Sequence, residues 1–226
     1  MKNNYLNLLE DLYLKHVDPE KAIPMKKYMK DQFEFLGISS GPRKEIYKNF
    51  FKTNGKPSTE KPEAIVRELW HKQEREYQYF GMTLLQKMEK NFDMGILPLY
   101  EFIITEKSWW DTVDFIAVNL TGPLLKRNRE EIPRITGKWK DSGNMWLQRT
   151  ALLFQLKYKI DTDKEWLFFL CRELSERQEF FIRKAIGWAL REYSKTDPDS
   201  VIAFVKSNTI SALSEKEAMR IILKET

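Results

Sequence analysis

Six segments of this chain, each starting 35 residues after the one before, align with their apolar positions in register and without a gap. They are SSGPRKEIYKNFFK from Ser39, EREYQYFGMTLLQK from Glu74, WWDTVDFIAVNLTG from Trp109, NMWLQRTALLFQLK from Asn144, EFFIRKAIGWALRE from Glu179 and SEKEAMRIILKET from Ser214. The eighth position of each is Ile46, Gly81, Ile116, Ala151, Ile186 or Ile221, all apolar or small. The twelfth is Phe50, Leu85, Leu120, Gln155, Leu190 or Glu225, which departs from the pattern only at Gln155 and in the last copy. Positions four apart share one stripe of a helix. A helical stripe repeated about every 35 residues is the mark of helix pairs that bury their apolar faces only by stacking on their neighbours.

Composition points the same way. Only nine of the 226 residues are Gly and nine Pro, too few turn formers for many short strands. Hydrophobic residues at 42% and charged residues at 31% describe a chain that folds and dissolves, not a disordered or membrane-embedded one. Cap signals at Asp18-Pro19, Ser108 and Asp197-Pro198 predict helix starts. Breaks are expected at 53–58, 91–95, 122–123, 140–144, 159–163 and 208–211, leaving about a dozen helices and no strand. Tetratricopeptide signature residues are not evident, so the repeat is read as HEAT-like. With no linker-like shift in composition, the expectation is an all-α solenoid, an α-α superhelix, forming a single domain over 1–226. One cysteine, Cys171, and two histidines, His16 and His71, exclude a disulfide framework and leave a soft metal site without ligands. The opening MKNNYLNLLEDLY carries acids where a secretory signal needs an apolar stretch, and the longest apolar run, Trp166 to Cys171, is too short to span a bilayer. No membrane association, a cytoplasmic location and a monomer are therefore expected. The net charge of +5 permits an anionic partner without requiring one.

A second stripe, rotated away from the core, runs through the second, sixth and tenth positions of the same helices. Its sixth column reads Lys44, Tyr79, Asp114, Arg149, Lys184 and Met219, with Trp110 one turn before Asp114 and Trp188 one turn after Lys184. In helical solenoids the second helix of each pair usually lines the concave binding face. Two readings stay open. The tryptophans could be ordinary packing and Asp114 could pair with Arg149 merely to knit two repeats. Alternatively, cations hold phosphates while rings stack on bases, and the lone carboxylate, which would repel a nucleic-acid backbone, is there for catalysis.

The blocks MKKYMKDQFEFLGI (25–38), SWWDTVDFIA (108–117), WLQRTALLFQLKYK (146–159) and EFFIRKAIGWALREYSKTDP (179–198) closely resemble the HEAT-like DNA alkylation repair glycosylases, the AlkD family, and the likeness runs through essentially the whole chain. The resemblance implies a solenoid that wraps duplex DNA in a concave channel and hydrolyses the N-glycosidic bond of N3- or N7-alkylated purines, without flipping the base and without a cofactor or metal. It implies that Asp114 is catalytic, that Trp110 and Trp188 face the lesion, and that Arg149 contacts phosphate. Tyr28 matches a tyrosine near the DNA groove. Ser39 is a departure, standing where the family carries Gln near the DNA. Lys184 is expected to contact phosphate on the strength of the stripe alone. The rival classes are a non-catalytic DNA-binding solenoid, which would have no use for Asp114, and a protein scaffold, in which the Trp-Asp-Arg-Trp stripe is coincidence.

Overall fold

The structure, a computed structural model, describes residues 4–57 and 62–224. Among them the chain is helical throughout, with fourteen α-helices, a few single-turn 3-10 segments and one isolated parallel bridge between Glu34 and Glu74, but no sheet. Contacts gather into two compact units, Met1–Asn91 and Phe92–Thr226. Where the sequence is read as one domain over 1–226, the division between units falls at the predicted break after Asn91.

The first unit holds α1 (Asn4–Leu14), α2 (Pro19–Tyr28), α3 (Ser40–Asn54), α4 (Pro62–His71) and α5 (Arg75–Met88). The second holds α6 (Leu97–Thr105), α7 (Trp110–Ile116), α8 (Gly122–Arg127), α9 (Ile132–Asp141), α10 (Met145–Leu153), α11 (Lys164–Glu173), α12 (Phe180–Tyr193), α13 (Pro198–Ser207) and α14 (Ala212–Met219). The repeat is visible in the caps themselves. Ser39, Glu74, Trp109, Asn144 and Glu179, the first positions of five successive aligned segments, are the N-caps of α3, α5, α7, α10 and α12. The last copy departs: its N-cap is Ser211, three residues before the aligned Ser214, and Ile221 falls beyond the end of α14.

The columns of the alignment are the core. Ile46, Ile116, Ala151 and Ile186 are buried, as are Phe50, Leu85, Leu120 and Leu190. Gly81 completes the eighth column because any Cβ there would lie 2.9 Å from the buried Trp70 ring. Gln155, the polar exception, is buried too, and its amide closes the following turn by accepting from Asp163 N at 2.8 Å and donating to Asp163 O at 3.3 Å. Glu225, like Ser58 of the first predicted break, lies outside the described residues. Side-chain bonds between neighbouring repeats stitch the second unit. Trp139 Nε1 donates to Glu101 at 2.7 Å, Trp166 Nε1 to Thr136 at 2.8 Å, and Ser214 Oγ to the Arg183 carbonyl at 2.9 Å.

Two predicted signals resolve differently. Ser108 is not a cap, because its hydroxyl turns back to donate to the Ile104 carbonyl at 2.7 Å, and Trp109 takes the cap position. Gly122-Pro123 is not a break. The helix of α7 continues into α8 through a π turn over Ala117–Thr121, a widened turn that accommodates a proline which cannot donate to the ladder. Gly122 is needed because a Cβ would sit 2.5 Å from the carbonyl oxygen of Phe154, the C-cap of α10, and its own carbonyl accepts from Tyr158 Oη at 2.6 Å. Asp18 and Asp197 do cap, each accepting from the backbone N–H three residues on, with proline in the first turn.

Candidate functional site

In the second unit, one guanidinium joins three successive repeats. Arg149 of α10 is 5% exposed. Its Nε donates to Asp114 Oδ1 at 2.6 Å and Nη2 to Asp114 Oδ2 at 2.8 Å, a bidentate pair with α7. Its Nη1 donates to the Phe181 carbonyl of α12. Below it, Trp109, Trp146 and Phe181, one from each repeat, pack with ring centroids 5.1–5.8 Å apart. The arginine expected at a phosphate is thus committed to holding Asp114. Burial pushes the Asp114 carboxyl up from its ordinary value while the Arg149 bonds pull it back, and two charge-assisted bonds to an arginine keep it an anion at neutral pH.

Asp114 opens onto a shallow groove of about 360 Å³, lined by Asp114, Phe115, Val118, Asn119, Leu156, Lys157, Trp188 and Glu192. The π turn builds one wall. It brings Asn119 to accept from Lys157 Nζ at 2.7 Å, so that an ammonium stands on the rim. Of the residues expected from sequence, Asp114 and Trp188 meet here. Trp110 is half-buried one turn before Asp114 on α7 and is not part of this lining. Lys184 turns toward α14, its Nζ 2.7 Å from Glu217 Oε1, and Arg191 bonds the other oxygen of the same carboxylate. The close approach of α14 depends on Gly187, where a Cβ would lie 2.5 Å from that of Glu217.

Tyr28 and Ser39 belong to the first unit, where they line a separate apolar groove of about 320 Å³ with Pro24, Met25, Met29, Phe35, Ser40, Arg43 and Tyr79. Arg43 lies 4.1 Å over the Tyr79 ring, and Tyr28 is 68% exposed. The turn leading to Ser39 is held from below. Glu76, fully buried, accepts from the backbone N–H groups of Leu36, Gly37 and Ile38 at 3.0–3.1 Å. Burial raises its carboxyl above the ordinary value, against the pull of backbone N–H groups and of the Arg43 charge. Gly37, at φ +85°, comes too close to the Asp18 carbonyl to carry any side chain.

Sequence reasoning missed Lys157, Asn119, Arg43 and Glu192. Glu192 could have been found, because it continues the stripe of Phe180, Lys184 and Trp188 by one more turn. No group of histidine, cysteine, aspartate or glutamate among the described residues could hold a metal ion, and none of their helices is long and apolar enough to cross a membrane. Cys171 is buried, with its thiol pushed well up by desolvation, which suits packing and not nucleophilic chemistry.

No curated protein matches the chain. Among solved structures, one described as a predicted DNA alkylation repair enzyme from Enterococcus faecalis superposes with a TM-score of 0.85 at 33% sequence identity, over 92% of this chain and 97% of that one. The family model for DNA alkylation repair enzymes matches residues 9–222, which takes in both grooves and every repeat of the core. With nearly the whole chain inside that match, the chain belongs to the DNA alkylation repair enzyme family, and its role is in DNA repair.

Proposed function

We propose that the protein is a DNA glycosylase that hydrolyses the N-glycosidic bond of cationic N3- and N7-alkylated purines in duplex DNA, built on HEAT-like repeats and acting in the cytoplasm as a monomer. The observation that carries this reading is the placement of the Asp114 carboxylate, clamped by Arg149, on an open groove that Trp188 also lines. Alkylation at N7 or N3 makes the base a cation, so the C1′–N9 bond can break with its electron pair leaving on a neutral base, and no general acid is required. The barrier is the positive charge that develops on the sugar. A fixed carboxylate opposes that charge, and it can orient the water that adds to C1′ and accept its proton. An aromatic face contributes about 0.5–2 kcal/mol of attraction to a cation, depending on desolvation, so a charged lesion gains where an undamaged base does not.

The bidentate clamp fixes both carboxylate oxygens without reorganisation during the reaction, which is the condition for strong electrostatic catalysis. The groove is shallow and lacks an enclosed base pocket, which supports action on a nucleotide left in the stack. Lys157 on its rim is suited to a backbone phosphate, and Tyr28, Ser39 and Arg43 offer the first unit's share of DNA contact. Trp110, one turn before Asp114 on α7, contacts the lesion, Arg149 clamps the carboxylate, and Lys184 exchanges its Glu217 pair for a neighbouring phosphate when DNA binds.

The test is single-turnover release of N7-methylguanine from duplex DNA by the wild type and by Asp114→Asn. The substitution keeps shape and removes charge, and loss of one preorganised electrostatic group typically costs on the order of 10²–10³ in rate. Release by wild type with that loss in the variant is expected. A folded variant as fast as wild type would reduce Asp114 to an ion-pair partner, and a wild type that releases nothing would overturn the glycosylase reading.

A further inference from the structure

The groove carries a second carboxylate. Glu192 sits on α12 four residues after Trp188, one turn along the same face, and lines the groove together with Trp188 and Asp114. In a surface meant to receive a polyanion, each carboxylate repels backbone phosphate and is tolerated only where a positive charge arrives to meet it.

The two carboxylates are not equivalent. Asp114 is matched by a buried guanidinium through two short bonds, with the Arg149 side chain only 6% exposed, so seen from the groove that pair is close to neutral. Glu192 is bonded by Lys195 at 2.6 Å, an i,i+3 pair whose side chains are 32% and 49% exposed for Glu192 and Lys195. Such pairs are weak, solvent-screened and readily rearranged. Of the two carboxylates, Glu192 therefore offers the more available negative charge to an incoming group, one helical turn from Trp188.

We propose that Glu192 is a specificity-determining residue that favours positively charged alkylpurines over neutral bases in the Trp188 groove. This deepens the glycosylase reading and rests on it. The ring face and the carboxylate act on the same cation, one through its quadrupole and the other through its charge, while an uncharged base of the same shape gains from neither. Asp114 serves the developing sugar cation, and Glu192 serves the cation already on the base.

The experiment compares three duplexes at one salt concentration: undamaged, containing 2′-fluoro-stabilised N7-methylguanine, and containing its neutral isostere, 2′-fluoro-7-methyl-7-deazaguanine. The stabilised sugars allow equilibrium binding without cleavage. Wild type should prefer the cationic duplex over the isostere, with the Glu192 share of that preference about 2–5-fold, the range of a partly exposed charge pair. Glu192→Gln should lose that share and keep only what the Trp188 ring supplies, while holding undamaged DNA as tightly as wild type or more tightly, and Glu192→Asp should keep part of the Glu192 share. Circular dichroism confirms folding, since a glutamate whose side chain is 32% exposed and paired with Lys195 carries little of the core. Retention of the full preference by Glu192→Gln, no preference in wild type, or equal weakening on all three duplexes would each overturn the proposal. Failure of the glycosylase reading is seen separately, as no release of base by wild type from unmodified N7-methylguanine duplex, and the binding comparison then still decides for or against Glu192.

Discussion

Arg149→Met removes the cation from the buried pair while keeping an unbranched side chain of similar length, and its cost follows from the geometry. Arg149 is 5% exposed, and its guanidinium makes two bonds to Asp114 and one to the Phe181 carbonyl. Leaving one member of such a pair buried without the other costs about 3–5 kcal/mol. The Asp114 side chain keeps 16% of its surface, so the lower end is expected, about 3 kcal/mol. For a domain of this size 1 kcal/mol moves Tm by about 2–4 °C, so the variant should melt about 6–12 °C lower near neutral pH. The sign of the pH dependence is a stricter check. Burial already raises the Asp114 carboxyl, and Arg149 is the chief influence lowering it. Without Arg149 the folded value rises further above the unfolded one, so the neutral acid favours the folded state and that contribution is lost as pH rises through the folded value. The deficit against wild type should therefore shrink on acidification. Thermal unfolding followed by circular dichroism at pH 5 and pH 8 measures both. A Tm within 2 °C of wild type at both values would mean that the pair does not hold the three repeats, and the clamp argument would fall.

Gly122→Ala places a Cβ 2.5 Å from the Phe154 carbonyl and 3.2 Å from that of Ala117, backbone atoms that cannot swing aside; a loss of about 1–3 kcal/mol by denaturant unfolding is expected, and a neutral result would show that the π turn has slack. Glu217→Gln removes the carboxylate shared by Lys184 and Arg191, which hold its pKa below the ordinary value, Lys184 foremost. A depressed carboxyl contributes stability above its unfolded pKa and loses it as pH falls through the folded one, so the variant should be about 1–2 kcal/mol less stable at pH 7, with the difference fading in acid.

The repeat was readable because stacking imposes it. Ile116, Ala151 and Ile186 each fill the same place against the next helix pair, so a fixed spacing survives in the sequence whatever else changes. Local signals were less faithful where packing decides. Gly122-Pro123 has the composition of a stop, yet the approach of the Phe154 carbonyl and a π turn carry the helix through it. Ser108 has the chemistry of a cap and spends its hydroxyl on the preceding helix instead. The site was legible by column and illegible by exposure. Asp114, Arg149 and Lys184 share one helical position, but Arg149 meets the Phe181 carbonyl and is enclosed, while Lys184 meets Glu217 from a terminal copy that had slipped out of register.

The sequence set two roles for Asp114 against each other, an inter-repeat ion pair or a catalytic anion. The geometry makes the first a condition of the second. A carboxylate that is 16% exposed and drawn upward by burial would take up a proton too readily to oppose a sugar cation, and the buried guanidinium is what keeps it charged and still. The two substitutions separate the roles. Asp114→Asn should lose the rate at every pH and some stability with it, because the amide accepts from Arg149 through one oxygen only and leaves a buried guanidinium without its anion. Arg149→Met should lose stability and also rate, and because the remaining carboxyl titrates higher, its residual base release should climb with pH through a range where the wild type is already level. A residual rate that is flat with pH would mean that Arg149 does not govern the charge on Asp114, whatever it does for the fold.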